Sequence, residues 1–152
     1  MKVLISSESE MKKFGERIGR RLLGGETIEL IGDVGAGKTT FTKGLALGLG
    51  VEESVQSPSF TISRTYDGRD GLVLSHYDFY RLNDAGIMTN ELKEVAGSHG
   101  MITIIEWAGA VAEILPDDRL MIEIVPRNET ERELNIKAKG EISGKLLKGI
   151  DK

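Results

Sequence analysis

A glycine-rich run, Gly32-Asp33-Val34-Gly35-Ala36-Gly37-Lys38-Thr39, stands between two segments of different character. Before it, Thr27-Ile28-Glu29-Leu30-Ile31 is rich in β-branched residues; after it, Phe41, Leu45 and Leu49 recur at i, i+4 spacing up to Gly50. The pattern predicts strand, loop and helix in that order, and few folds accommodate it. Gly32, Gly35 and Gly37 carry no Cβ, so the backbone can fold tightly enough for its N–H groups to converge on an anion. Lys38 adds a point charge suited to the β- and γ-phosphates of a nucleoside triphosphate, and the Thr39 hydroxyl suits Mg²⁺. The helix beginning there, with Thr40 in its first turn, directs its positive end at the same anion.

The chain has 152 residues, enough for one domain that buries a core without covalent staples. It has no cysteine, so neither a disulfide nor a thiolate metal site is available. The only apolar run near the start is Val3-Leu4-Ile5, too short for a signal peptide, and no segment approaches the length of a membrane span. A soluble, cytoplasmic protein is expected. The formal net charge of −4 weighs against gripping nucleic acid by electrostatics alone. Lys12, Lys13, Arg17, Arg20 and Arg21 form one basic cluster in a predicted helix opened by Ser7, with Glu10 three residues on as in a capping box. Met11, Phe14, Ile18 and Leu22 are its expected buried stripe; the basic residues are most simply its wet face, with a partner-docking patch as the alternative.

Farther on, Pro58 breaks the chain before Phe60 to Tyr66 and Leu72 to Phe79, two predicted strands of a hairpin turning at Asp67-Gly68-Arg69-Asp70-Gly71. A helix is expected over Asp84 to Val95. Met101-Ile102-Thr103-Ile104-Ile105 is nearly unbroken in its apolar character, as in a strand buried on both faces, and is expected at the centre of the sheet. Arg119 to Val125 and Glu131 to Lys139 predict a second hairpin around Pro126-Arg127-Asn128, and Glu141 to Ile150 a closing helix. The sum is a single α/β phosphate-loop domain with a mixed, largely parallel central sheet and antiparallel hairpins.

A nucleotide hydrolase needs a carboxylate on the Mg²⁺ side and a group that orients water. Glu106 follows the apolar run at the carboxyl end of a parallel strand, where open α/β sheets bind ligands, so position alone favours it over Asp78 as the Mg²⁺-linked acid. Asp78 closes the second hairpin strand, and alternation sets it on one face with His76 and Tyr80, opposite Tyr77 and Phe79. The plain alternatives are a strand-end glutamate capping a helix and an aspartate in a surface turn. For His76 the plain reading is a hydrogen-bonded structural residue. Trp107, the only tryptophan, is either core packing or, directly after Glu106, a neighbour of the nucleotide.

Gly32 to Phe41, Ser57-Pro58-Ser59-Phe60-Thr61, His76-Tyr77-Asp78-Phe79-Tyr80-Arg81-Leu82 and Ile105-Glu106-Trp107, in that order and spacing, closely resemble the bacterial TsaE family. The resemblance implies an ATPase needed to form threonylcarbamoyladenosine beside the anticodon of tRNA, acting on the TsaB and TsaD proteins and reaching tRNA only through them. It implies that Lys38, Thr39 and Thr40 hold nucleotide and metal. Asp78 then resembles the Mg²⁺-side acid, Glu106 the residue needed for hydrolysis, and Ser57 to Thr61 a mobile segment sensing the γ-phosphate. Which of Asp78 and Glu106 ligates Mg²⁺ directly stays open. Two departures stand out: Ser59 replaces the usual threonine, and Ala85-Gly86-Ile87-Met88-Thr89 replaces a more acidic helix.

Two other readings compete. A small-molecule kinase would need an arginine-bearing lid, and no arginine-rich insert separates the predicted elements; a non-hydrolysing switch would have no use for Asp78 and Glu106. No Asn-Lys-x-Asp occurs, which removes the usual guanine-reading sequence.

Overall fold

The structure is a computed structural model that describes residues 1–33, 35–56, 63–79 and 87–150. In chain order the elements are β1 (Lys2–Ile5), α1 (Glu8–Gly19), β2 (Thr27–Ile31), α2 (Lys38–Leu49), β3 (Ser63–Asp67), β4 (Val73–Asp78), α3 (Ile87–Val95), β5 (Met101–Glu106), β6 (Leu120–Pro126), β7 (Arg132–Ala138) and α4 (Glu141–Ile150). The strands form one sheet of order β1-β7-β6-β2-β5-β4-β3. β6, β2, β5 and β4 run parallel, while β3 on one side and β7 and β1 on the other are antiparallel. This is the expected mixed α/β sheet with a hairpin at each side.

Three details differ from the sequence reading. The middle strand is β2, and β5 sits beside it, because both edges of β5 are taken by β2 and β4 and β6 adds to the far side of β2. The Val3-Leu4-Ile5 run belongs to a strand, β1, paired with β7 through Val3 opposite Leu134. α1 ends at Gly19, so Leu22, though buried, packs from the turn beyond the helix. Ser7 does cap α1 by accepting from the Glu10 N–H at 3.1 Å, and the Glu10 carboxylate reaches back to the N–H of Ser6 at 2.7 Å.

The two faces of the sheet are covered unequally. Met11, Phe14 and Ile18 of α1 and Phe41, Leu45 and Leu49 of α2 join the inward residues of β2, β5 and β6 in one core. A smaller core on the opposite face gathers Tyr77, Phe79, Ile105, Leu92, Ala108 and Leu115. β5 is therefore buried from both sides, as its apolar run requires. β6 instead alternates, with Leu120, Ile122 and Ile124 buried and Glu123 and Val125 exposed, so the second layer stops short of it.

α1 and α2 approach so closely that only glycine fits between them. A Cβ on Gly15 would lie 2.3 Å from the Phe41 carbonyl oxygen, and one on Gly44 would lie 2.0 Å from that of Lys12. Gly19 and Gly48 repeat the arrangement one turn along, at 2.1 and 2.2 Å from Leu45 and Glu16 carbonyl oxygens. The far ends of both helices are tied by Arg69 from the β3–β4 turn. Its guanidinium donates to the carbonyls of Gly19 and Gly48 at 3.1 and 2.7 Å, and to those of Arg20 and Leu22 at 3.1 and 2.8 Å. A cation at two helix C-termini satisfies carbonyls that have no partner within their helices. α2 is thereby held at its far end against a neighbour it touches backbone to backbone.

Candidate active site

Parallel strands that end level bring their last residues together. Asp78 closes β4 and Glu106 closes β5, and the two are direct partners across the strands; Leu30 of β2 is opposite Glu106 on its other side. One residue past β2, Gly32 opens the loop. A Cβ there would lie 3.0 Å from the Ile124 carbonyl oxygen and 3.2 Å from the Ala36 Cβ, a tight fit that glycine relieves where the loop leaves the strand. Gly37, at φ +113°, occupies the left-handed region immediately before α2. The Ala36 N–H closes the loop on the Asp33 carbonyl at 3.0 Å. Val34 lies outside the described residues.

Thr39 and Thr40 are half-buried in the first turn of α2, which contains no acidic residue to offset the positive helix end. Lys38 is nearly enclosed at 6% exposure. Its Nζ donates to the Gly32 carbonyl at 2.7 Å, stands 3.8 Å from Glu106 Oε1 and sits 4.0 Å over the Trp107 ring. Burial lowers its pKa from the ordinary 10.5, opposed by the carboxylates of Glu106, Asp78 and Asp33. Asp78 and Glu106 are both buried. Glu106 presents one oxygen to Lys38 and the other to His76, whose Nε2 is 2.6 Å from Oε2.

Trp107 has φ +56°, one of only two non-glycine residues in the left-handed region among those described. A bulky residue held there is strained, and such strain gathers at functional sites. Here it turns the chain at the end of β5 and lays the indole beside Lys38, so core packing alone does not describe this tryptophan.

The residue types fit a nucleotide phosphate with Mg²⁺. The loop and the N-terminus of α2 would supply donors and Lys38 a cation, and Thr39, Asp78 and Glu106 would present oxygen atoms to the metal and its waters. No three His, Asp or Glu side chains among the described residues form a metal cage by themselves. Mg²⁺ needs none, since it keeps waters and substrate phosphates as ligands beside one or two carboxylates.

Two features were missed in the sequence. Arg132, on β7, donates from Nε to the Ala36 carbonyl at 3.0 Å and so braces the loop from 96 residues away. It borders a cleft of about 490 Å³ that adjoins Gly35, Gly37 and Thr40 and is closed on the other side by Ser7 and Glu129. A second cleft of about 470 Å³ opens between Asp33, Trp107, Ala108 and Gly109. The His76–Glu106 bond was missed also. Neither contact leaves a local signal, because both depend on the register of strands distant in sequence. The Ser57 to Thr61 segment and Tyr80, Arg81 and Leu82 lie outside the described residues, as do Ala85 and Gly86.

Comparison with known proteins converges on one family. The family model described as threonylcarbamoyl adenosine biosynthesis protein TsaE matches residues 5–134. The chain is 43% identical over 118 residues to the tRNA threonylcarbamoyladenosine biosynthesis protein TsaE of Bacillus subtilis, covering 76% of this chain and 72% of that one. It is 36% identical to the protein so described from Treponema pallidum, over 90% of this chain and 99% of the relative. The crystal structure of Bacillus subtilis YdiB is similar at a TM-score of 0.84 and 36% identity, over 99% of this chain and 93% of that one.

Proposed function

The chain belongs to the TsaE family, whose members are described as proteins of tRNA threonylcarbamoyladenosine biosynthesis, and from that premise we propose that it is the ATP-hydrolysing accessory of that modification, acting on a TsaB–TsaD complex. The observation that carries the reading is the meeting of Lys38, Asp78 and Glu106 at the head of α2. What supports the reading is that a cation and two carboxylates, groups that phosphoryl transfer to water asks of a protein, meet there.

In this reading the loop amides and Lys38 bind the triphosphate. Lys38 exchanges the Gly32 carbonyl for phosphate oxygens, which suits an ammonium that burial makes costly to leave unpaired. Thr39 and Asp78 hold Mg²⁺, whose charge would offset that of the β- and γ-oxygens, and Glu106 orients the attacking water. The cleft bordered by Arg132 and Ser7 lies beside Thr40 and takes the nucleoside end. Pathway membership and the net charge of −4 together favour tRNA being held by the partners.

Steady-state hydrolysis of Mg-ATP, with and without a TsaB–TsaD pair, tests the proposal. Turnover is expected to be slow alone and faster with the pair, because an arginine supplied in trans can be worth about 10³–10⁵ in rate. Glu106→Ala should lose turnover more than binding. Fast, partner-independent turnover would contradict the accessory role, and no turnover in either condition would remove the hydrolase reading.

A further inference from the structure

His76 is fully buried on β4, and the phosphate chemistry assigns it no part. Its Nε2 lies 2.6 Å from Glu106 Oε2. A carboxylate can only accept, so the ring donates from Nε2. Nδ1 is buried and meets no hydrogen-bond partner among the described residues, so the bond to Glu106 is the polar contact that accounts for a histidine in this position. The register explains the reach: Asp78 is level with Glu106, and His76 sits two residues earlier on the same face of β4, opposite Ile104.

The other Glu106 oxygen faces Lys38 across 3.8 Å. A lysine that serves phosphate cannot also fix that carboxylate. We propose that His76 is a positioning residue that holds the Glu106 carboxylate in its working orientation, so that it acts on hydrolysis and not on nucleotide capture. This rests on the reading above, in which Glu106 serves hydrolysis and Lys38 serves binding.

The test compares His76→Leu, which removes the donor, with His76→Gln, which keeps an amide donor, in Mg-ATP hydrolysis with the TsaB–TsaD pair. For His76→Leu we expect kcat to fall about 10–100-fold, the usual effect of losing such a supporting bond. KM should stay within about threefold, as when an interaction used only in the chemical step is lost. His76→Gln should recover part of the rate. In a Glu106→Gln background His76→Leu should lower the rate by less than about twofold, because residues that act through one another are not additive. A wild-type kcat in His76→Leu, or losses that simply multiply in the double variant, would overturn the proposal.

A second measurement does not depend on turnover. The chain has two histidines, His76 and His99, so two-bond ¹H–¹⁵N spectra of the imidazoles can be assigned with a His99→Asn variant. The His76 Nε2 resonance should move in Glu106→Ala, and an unmoved resonance would overturn the tether. If the resonance moves while the wild type hydrolyses nothing, the tether stands and the hydrolase reading falls.

Discussion

At the scale of single residues, Lys38 and Trp107 carry the most testable consequences. Burial is the largest influence on Lys38 and lowers its pKa from 10.5 against the pull of Glu106, Asp78 and Asp33. The folded chain therefore releases this proton at lower pH than the unfolded chain, and unfolding takes a proton up in the window between the lowered value and 10.5. Stability rises with pH wherever the unfolded state binds more protons. Whatever its size at neutral pH, the unfolding free energy of wild type minus that of Lys38→Met should rise through this window in urea titrations. A flat or falling difference would show that burial does not dominate at Lys38. Trp107 gives an optical readout of the same place. Its ring lies 4.0 Å from Lys38 Nζ, so recruitment of that ammonium by phosphate should alter its emission. As the only tryptophan it makes the signal a single-site one, and we expect a saturable change with Mg-ATP that differs from the change with Mg-ADP. Spectra that coincide while calorimetry shows nucleotide bound would separate the indole from the site.

At the scale of elements, the α1–α2 contact fixes the helix that begins at the glycine-rich loop. Gly44→Ala puts a methyl carbon 2.0 Å from the Lys12 carbonyl oxygen, and backbone on backbone cannot give way without moving a helix. Alanine is the better helix former by up to about 1 kcal/mol, yet overpacking of about 1–3 kcal/mol or more opposes it. Chemical denaturation should find the variant destabilised, and a stabilised Gly44→Ala would mean that the helices are not in backbone contact. The glycines at 15, 19, 44 and 48 were readable only as residues; their i, i+4 pairing gains meaning once the two helices are known to touch. What was legible was local. Strand-loop-helix at the loop, both hairpins and α4 follow from β-branched runs, turn residues and amphipathic spacing. β1 was not legible, because its four residues alternate weakly and are fixed by pairing to β7, more than a hundred residues away. The same non-locality hid Arg132 under Ala36 and His76 beside Glu106. Asp78 and Glu106 could each be nominated from strand-end position, but their adjacency required the β4–β5 register.

At the scale of the whole molecule, four parallel strands end at one edge, and that edge carries the loop, both carboxylates and the tryptophan. Antiparallel strands flank the set on both sides, so the parallel strands are the interior of the sheet and the site is built on its most constrained part. No helix among the described residues is long and apolar enough to cross a membrane. Membership of the TsaE family connects the chain to a tRNA modification, and our central claim is that this edge binds Mg-ATP through Lys38. The most direct measurement is a titration of fluorescently labelled ATP, with Mg²⁺, against folded wild type and folded Lys38→Ala. Hydrogen bonds to a charged group contribute about 1.5–3 kcal/mol, so we predict saturable binding by wild type and an affinity at least about tenfold weaker in the variant. Equal affinities in two chains that melt alike would contradict the assignment of the site.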